Sequence, residues 1–127
     1  SLELCRADEK AFKARLRAEV RGGWRHLIDK DYEAAAAMVA PGEHSWNAHD
    51  IEAAMAPFHE QYGALVGDGR AFLTQWLVID RDAPRWSLRQ ILLDADEDNA
   101  WHFEAVVDTG AITSLDEPML QLERISS

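Results

Sequence analysis

A chain of 127 residues, 47% of them apolar, has the length and content of one domain around one core. Its formal charge of −10 and pI near 4.8 exclude nucleic-acid binding through bulk charge, and its length excludes a complete nucleotide-driven motor. The one cysteine, Cys5, cannot form an internal disulfide and fits a reducing cytoplasm. No apolar run approaches the ~20 residues of a membrane helix. No signal-peptide pattern opens the chain, and a start at Ser1-Leu2 rather than Met suits either a piece of a longer protein or removal of the first Met.

The first half reads as helix. Phe12, Leu16, Val20, Trp24 and Leu27/Ile28 recur every three to four residues, predicting a helix from Asp8 to Arg21 or on to Ile28. Asp8 is a candidate N-cap, and Gly22-Gly23 is expected to break or kink the helix. Lys13, Arg17, Arg21 and Arg25 recur every fourth residue as a basic stripe, with Glu9 and Glu19 diluting it. Residues 1–30 hold eight basic and five acidic residues, the remainder five and eighteen. The chain therefore divides into a +3 segment and a −13 segment.

A second helix is expected from Asp31 to Val39, stopped by Pro41-Gly42. The third starts at Asn47, with Asp50 in the capping-box position and Trp46 able to staple onto Ile51. Ile51, Met55, Phe58 and Tyr62 line its inner face, and Pro57 predicts a kink or an early stop.

Four or five strands follow the Gly67-Asp68-Gly69 loop. Ala71–Asp80 is an almost continuous apolar run. Arg85–Asp94 puts Trp86, Leu88, Gln90 and Leu92 on one face, and Ala100–Asp108 alternates likewise. Asp94–Asn99 is an acidic turn. A short strand at Ile112–Leu115 and a last one at Met119–Ile125 close the sheet. Tight turns between successive strands mean antiparallel pairing. The class is α+β: three N-terminal helices packed on a curved antiparallel sheet. The order and length of the elements, with the Lys30-Asp31-Tyr32-Glu33-Ala34 turn, resemble the nuclear-transport-factor-2-like fold. In that fold the sheet curls round the helices as a cone, often enclosing a pocket.

A closer resemblance rests on Asp31-Tyr32-Glu33-Ala34, Pro57-Phe58-His59-Glu60, Arg85-Trp86-Ser87-Leu88-Arg89-Gln90-Ile91-Leu92-Leu93-Asp94 and Glu104-Ala105-Val106-Val107-Asp108. Over about residues 9–125 these resemble the uncharacterised domain at the C-terminal end of bacterial DEAD/DEAH-box RNA helicases. The resemblance implies a single accessory domain spanning 1–127, cytoplasmic, with a helicase core in cis as its partner. ATP and Mg would belong to that core. This chain has no Gly-x-x-x-x-Gly-Lys-Ser/Thr loop and no Asp-Glu-Ala-Asp run, and Gly67-Asp68-Gly69 lacks the following Lys. The family carries no established catalytic residues for this domain. A homodimer follows only by analogy with the fold.

Three groups of residues are candidates for a site. His102 and Glu104 share one face of a strand, with Arg89 expected opposite, a set suited to proton transfer. The better reading is a cross-strand ion pair on a solvated face, since Trp101 and Phe103 take the core side and leave His102 and Glu104 to water. His59, Tyr62, Trp76, Trp86 and Gln90 have the composition of a ligand pocket and also that of a core. Lys13, Arg17, Arg21 and Arg25 fit a solvated helix face, a contact with an acidic protein surface, or a contact with RNA. His26, His44, His49, His59 and His102 show no ligand spacing, so no metal site is read.

Overall fold

The computed structural model describes residues 9–40, 42, 45–67, 69–72, 74–82, 85–108 and 118–127. Helix α1 spans Glu9–Ile28, α2 Tyr32–Ala37 and α3 Ala48–Tyr62; two 3-10 turns, Gly69–Phe72 and Thr74–Trp76, lead into the sheet. The strands are β1 Leu77–Asp82, β2 Arg85–Leu92, β3 Trp101–Asp108 and β4 Gln121–Ser126. They pair antiparallel in the order β1-β2-β3-β4. This is the expected α+β arrangement with four described strands; Asp8 and the strand expected at Ile112–Leu115 lie outside the described residues.

Helix α1 does not break at Gly22-Gly23. Phe12, Leu16, Val20, Trp24 and Leu27 are buried along one continuous face, and that burial outweighs the helix cost of two glycines. Its end is closed by Lys30, held left-handed at φ 58°, while the Asp31 amide donates to the His26 carbonyl at 2.9 Å. Asp31 then caps α2 by accepting from the Ala34 amide at 3.2 Å. The helix ends at Ala37, earlier than the expected Val39.

Helix α3 opens on the expected capping box. Asn47 accepts from the Asp50 amide at 2.8 Å, and Asp50 accepts from the Asn47 amide at 3.1 Å. Pro57 does not stop this helix, which runs on to Tyr62. Pro57 and Ala53 are both exposed, so the carbonyl that loses its partner faces water. The residue that ends the helix is Gly63, at φ 78°.

Alternation decides the sheet. Trp86, Leu88, Gln90 and Leu92 of β2 and Trp101, Phe103, Ala105 and Val107 of β3 turn to the helices and are buried. Phe12 packs edge-on against Trp86 at 4.9 Å, and Phe58 against Trp101 at 5.8 Å. The expected strand over Ala71–Asp80 begins only at Leu77, because an apolar run without alternation carries no strand boundary. Strand β4 begins at Gln121, after Met119 and Leu120 have been fixed from outside the sheet. Its outer edge is covered in part. The Ala40 amide donates to the Leu120 carbonyl at 2.7 Å, and the Trp46 indole to the Leu122 carbonyl at 2.8 Å.

The α1 glycines give a direct test of this packing. A β-carbon on Gly23 would meet nothing within 4 Å, whereas one on Gly22 would lie 3.0 Å from Met38 Cε. Gly23→Ala is expected to stabilise the protein by about 0.5–1 kcal/mol, and Gly22→Ala by less. Thermal denaturation checks this; a lower Tm for Gly23→Ala would mean that the helix needs glycine there.

Candidate functional site: the α1 face, the interior and the outer sheet face

Helix α1 sorts its charges by side. Lys10, Ala11, Ala14, Arg17, Ala18, Arg21 and Arg25 are exposed. Glu19 sits on the opposite side and is 3% exposed. It therefore does not dilute the basic stripe, as its place in the sequence suggests it would. Glu9, in the first turn, is engaged by Lys13 at 3.8 Å and by Arg81 of β1. Of the expected stripe, Arg17, Arg21 and Arg25 share the open face, joined by Lys10, while Lys13 lies on its flank.

Glu19 is the functional-looking residue that composition and stripe-reading missed. Its Oε1 accepts from the Met119 amide at 2.8 Å and the Leu120 amide at 3.3 Å, and its Oε2 lies 3.5 Å from Arg15 Nη1. One carboxylate thus ties the middle of α1 to the segment entering β4. Burial pushes its carboxyl above the ordinary value; the two amides and Arg15 oppose that. Its spacing of three from Leu16 and eight from Leu27, on the apolar stripe, was the available signal. Beside it lies a cleft of about 60 Å³ lined by Glu19, Gly23, Leu27, Met38, Phe103 and Leu122, among others.

The five pocket candidates occupy separate places. Trp86 is core, and Gln90 is buried with its Nε2 donating to the Ile91 carbonyl at 3.0 Å. His59 Nδ1 is 2.6 Å from the Gly63 carbonyl, which makes Nδ1 the protonated nitrogen and leaves Nε2 to accept from Tyr32 Oη at 3.3 Å. Tyr62 donates to Asp98 at 2.8 Å, and that bond pushes its hydroxyl up to about 12. Trp76 lines a recess of about 350 Å³ with Val66, Arg70, Asp94 and Asn99.

That recess borders the acidic turn. Asp94 is 2% exposed; its Oδ1 accepts from the Asp96 and Asp98 amides and its Oδ2 from the Asn99 amide, at 2.9–3.1 Å. Glu97 and Asn99 are left-handed, at φ 60° and 53°. Asp94, Asp96 and Asp98 bring carboxylate oxygens within 4.8 Å of one another and are the described residues that could hold a cation. The three amides on Asp94 account for the turn without one.

His102, Glu104 and Arg89 do come together, on the sheet face turned away from the helices. Glu104 Oε1 lies 3.2 Å from His102 Nε2 and 3.6 Å from Arg89 Nε, and Arg124 of β4 adds a contact of 2.6 Å to Oε2. Arg124 enters because the pairing shifts between Glu104 and Ala105. Its hydrogen bond holds the Glu104 carboxyl below the usual range; partial burial opposes this, and the charges of Arg124, His102 and Arg89 add to it. His102 Nε2 is buried and not aligned for a hydrogen bond despite its distance. A carboxylate so held is a weak base, and the basin beside it is open, lined by Val78, Asp80, Ser87 and Glu123. These side chains thus form the cross-strand Arg–Glu pair read from the strand alternation, extended by His102 and Arg124 into an ion cluster on the outer sheet face, and not a proton-transfer site.

The sequence matches the family described as Domain of unknown function (DUF3516) over residues 2–125. The chain belongs to that family. No curated protein and no solved structure matches it. In this family member no helix among the described residues is long and apolar enough to cross a membrane.

Proposed function

We propose that this chain is a non-catalytic accessory domain of a bacterial DEAD/DEAH-box ATP-dependent RNA helicase, with a nuclear-transport-factor-2-like fold and a cytoplasmic setting. It would dock onto the helicase core, pair with a second copy, or position RNA. ATP and Mg would be held by the core alone. The observation that carries this reading is the division of α1, whose inner side is consumed by packing while its outer side presents only cations and alanines. Such an arrangement suits a surface that binds rather than an interior that converts. The Asp68 carboxylate within Gly67-Asp68-Gly69, with no Lys following, also disfavours phosphate binding there.

The test is an ATPase assay on the chain with and without RNA. Turnover at the buffer blank is expected, and turnover that co-purifies with the chain would refute the reading. A reading frame continuing upstream into a phosphate loop would support it, and a frame starting near residue 1 would sink it. A second reading, a small-molecule binder or acid/base enzyme on the same fold, draws on Glu19 beside its apolar cleft. It requires that a ligand perturb the resonances of Leu27 and Phe103 in a chemical-shift titration.

A further inference from the structure

We propose that the exposed face of α1 binds the phosphate backbone of nucleic acid without reading base sequence. This rests on the accessory-domain reading and names the partner of one of its surfaces. Lys10, Arg17, Arg21 and Arg25 lie along one side of a 20-residue helix. Steps of four residues set the three arginines about 6 Å apart along the axis. Each guanidinium presents a planar fork that matches phosphate oxygens. Arg21 and Arg25 also make contacts within the protein, so phosphates would compete for them from the solvent side.

The choice of nucleic acid over an acidic protein follows from what lies between the charges. A protein interface draws its energy from buried aromatic or aliphatic anchors. Here the intervening exposed residues are Ala11, Ala14 and Ala18, which let a backbone approach closely but offer no anchor. The face also carries no aromatic ring on which to stack a base and no Asn or Gln to read a base edge. Its energy would come from counterion release. Binding would therefore be weak, sequence-tolerant and steep in salt. The −10 net charge does not forbid it, because at physiological salt repulsion from the acidic remainder is screened within ~8 Å.

The experiment is fluorescence anisotropy of the chain with a 20-nucleotide oligouridylate, a 20-base-pair RNA duplex and poly-glutamate, between 25 and 200 mM salt. Arg17→Gln/Arg21→Gln is compared with Ser87→Glu/Ser127→Glu, which changes net charge equally at exposed positions elsewhere. Circular dichroism confirms that both fold. At the lowest salt the arginine variant is expected to bind RNA at least about fivefold more weakly, with the control within twofold of wild type. The slope of log affinity on log salt, about −2 to −4 for wild type, should become shallower by one to two. The single-strand and duplex arms show which form of the backbone is held. Equal losses in both variants, no RNA binding at 25 mM salt, or tighter binding of poly-glutamate than of RNA would each overturn the proposal; the last would assign the face to an acidic protein. Any of these leaves the ATPase result untouched, so the accessory-domain reading stands or falls separately.

Discussion

Replacing Phe58 with alanine is expected to cost about 3–5 kcal/mol, the largest loss from any single truncation considered for this fold. Phe58 is fully buried. It meets Trp101 edge-on at 5.8 Å and Tyr62 at 5.2 Å, so its ring joins α3 to β3. Alanine would leave a void bounded by rigid aromatic walls that cannot close over it. Domains of this size hold about 5–15 kcal/mol in total. The variant should therefore melt roughly 10–20 °C below wild type. Phe58→Leu, which keeps most of the volume, should recover more than half of the loss. Urea or thermal unfolding of the two variants checks this, and a Phe58→Ala protein within 1 kcal/mol of wild type would mean that α3 does not pack as described.

Glu19 gives the second large effect, and here the conservative variant matters more than the truncation. Glu19→Ala removes the acceptor of the Met119 and Leu120 amides, 100 and 101 residues away, and leaves both buried and unpaired. The expected cost is about 2–4 kcal/mol. Glu19→Gln keeps a carbonyl oxygen for those amides and should lose far less. The pH dependence separates the charge from the geometry. Burial, opposed by the two amides and Arg15, raises the Glu19 carboxyl above its ordinary 4.5. The native protein then keeps the proton to higher pH than the unfolded chain does. The contribution of Glu19 is therefore most favourable when protonated. It declines as pH rises from 4.5 to the raised native value, and stays at its lower level above that. Stability of wild type relative to Glu19→Gln should fall across that window and then level off. A relative stability that instead rises with pH there would reverse the assignment of burial as the dominant cause.

Glu104 runs the other way. Its carboxyl is held low, chiefly by Arg124, so its contribution is present above 4.5 and is lost as pH falls through the native value. The two carboxylates show how differently residues of one type are used. Glu19 is an interior tie that the fold holds against its own burial cost. Glu104 is the centre of a partly solvated ion cluster, where each contact is worth little and is screened by salt.

How much of this was legible in the sequence depended on the distance over which each signal acts. The capping box at Asn47 and Asp50 is written in four consecutive residues and formed as read. The alternation through Trp86–Leu92 and Trp101–Val107 needs only its own strand and the sign of hydropathy, so the buried face was readable in advance. Local rules misjudged the places where tertiary burial overrode them. Gly22-Gly23 and Pro57 both carry helix penalties, yet each helix continues because its inner face is packed, and at Pro57 the hydrogen bond is lost between exposed residues. The apolar run at 71–80 gave no period with which to place the start of β1.

The sequence by itself determined the order of elements, the strand faces and the basic character of the first helix, because those follow from periodicity within a few residues. Only the tertiary structure decided which way each charge points. It turned Glu19 inward onto Met119 and Leu120, and it added Arg124 to His102, Glu104 and Arg89 on the outer face. It also spent His59 and Tyr62 on separate hydrogen bonds, to Tyr32 and Asp98 far along the chain, rather than on a common pocket. The physical reason is the same in each case. A buried or clustered charge is settled by partners far along the chain, and in one sequence nothing but the fold brings those partners together.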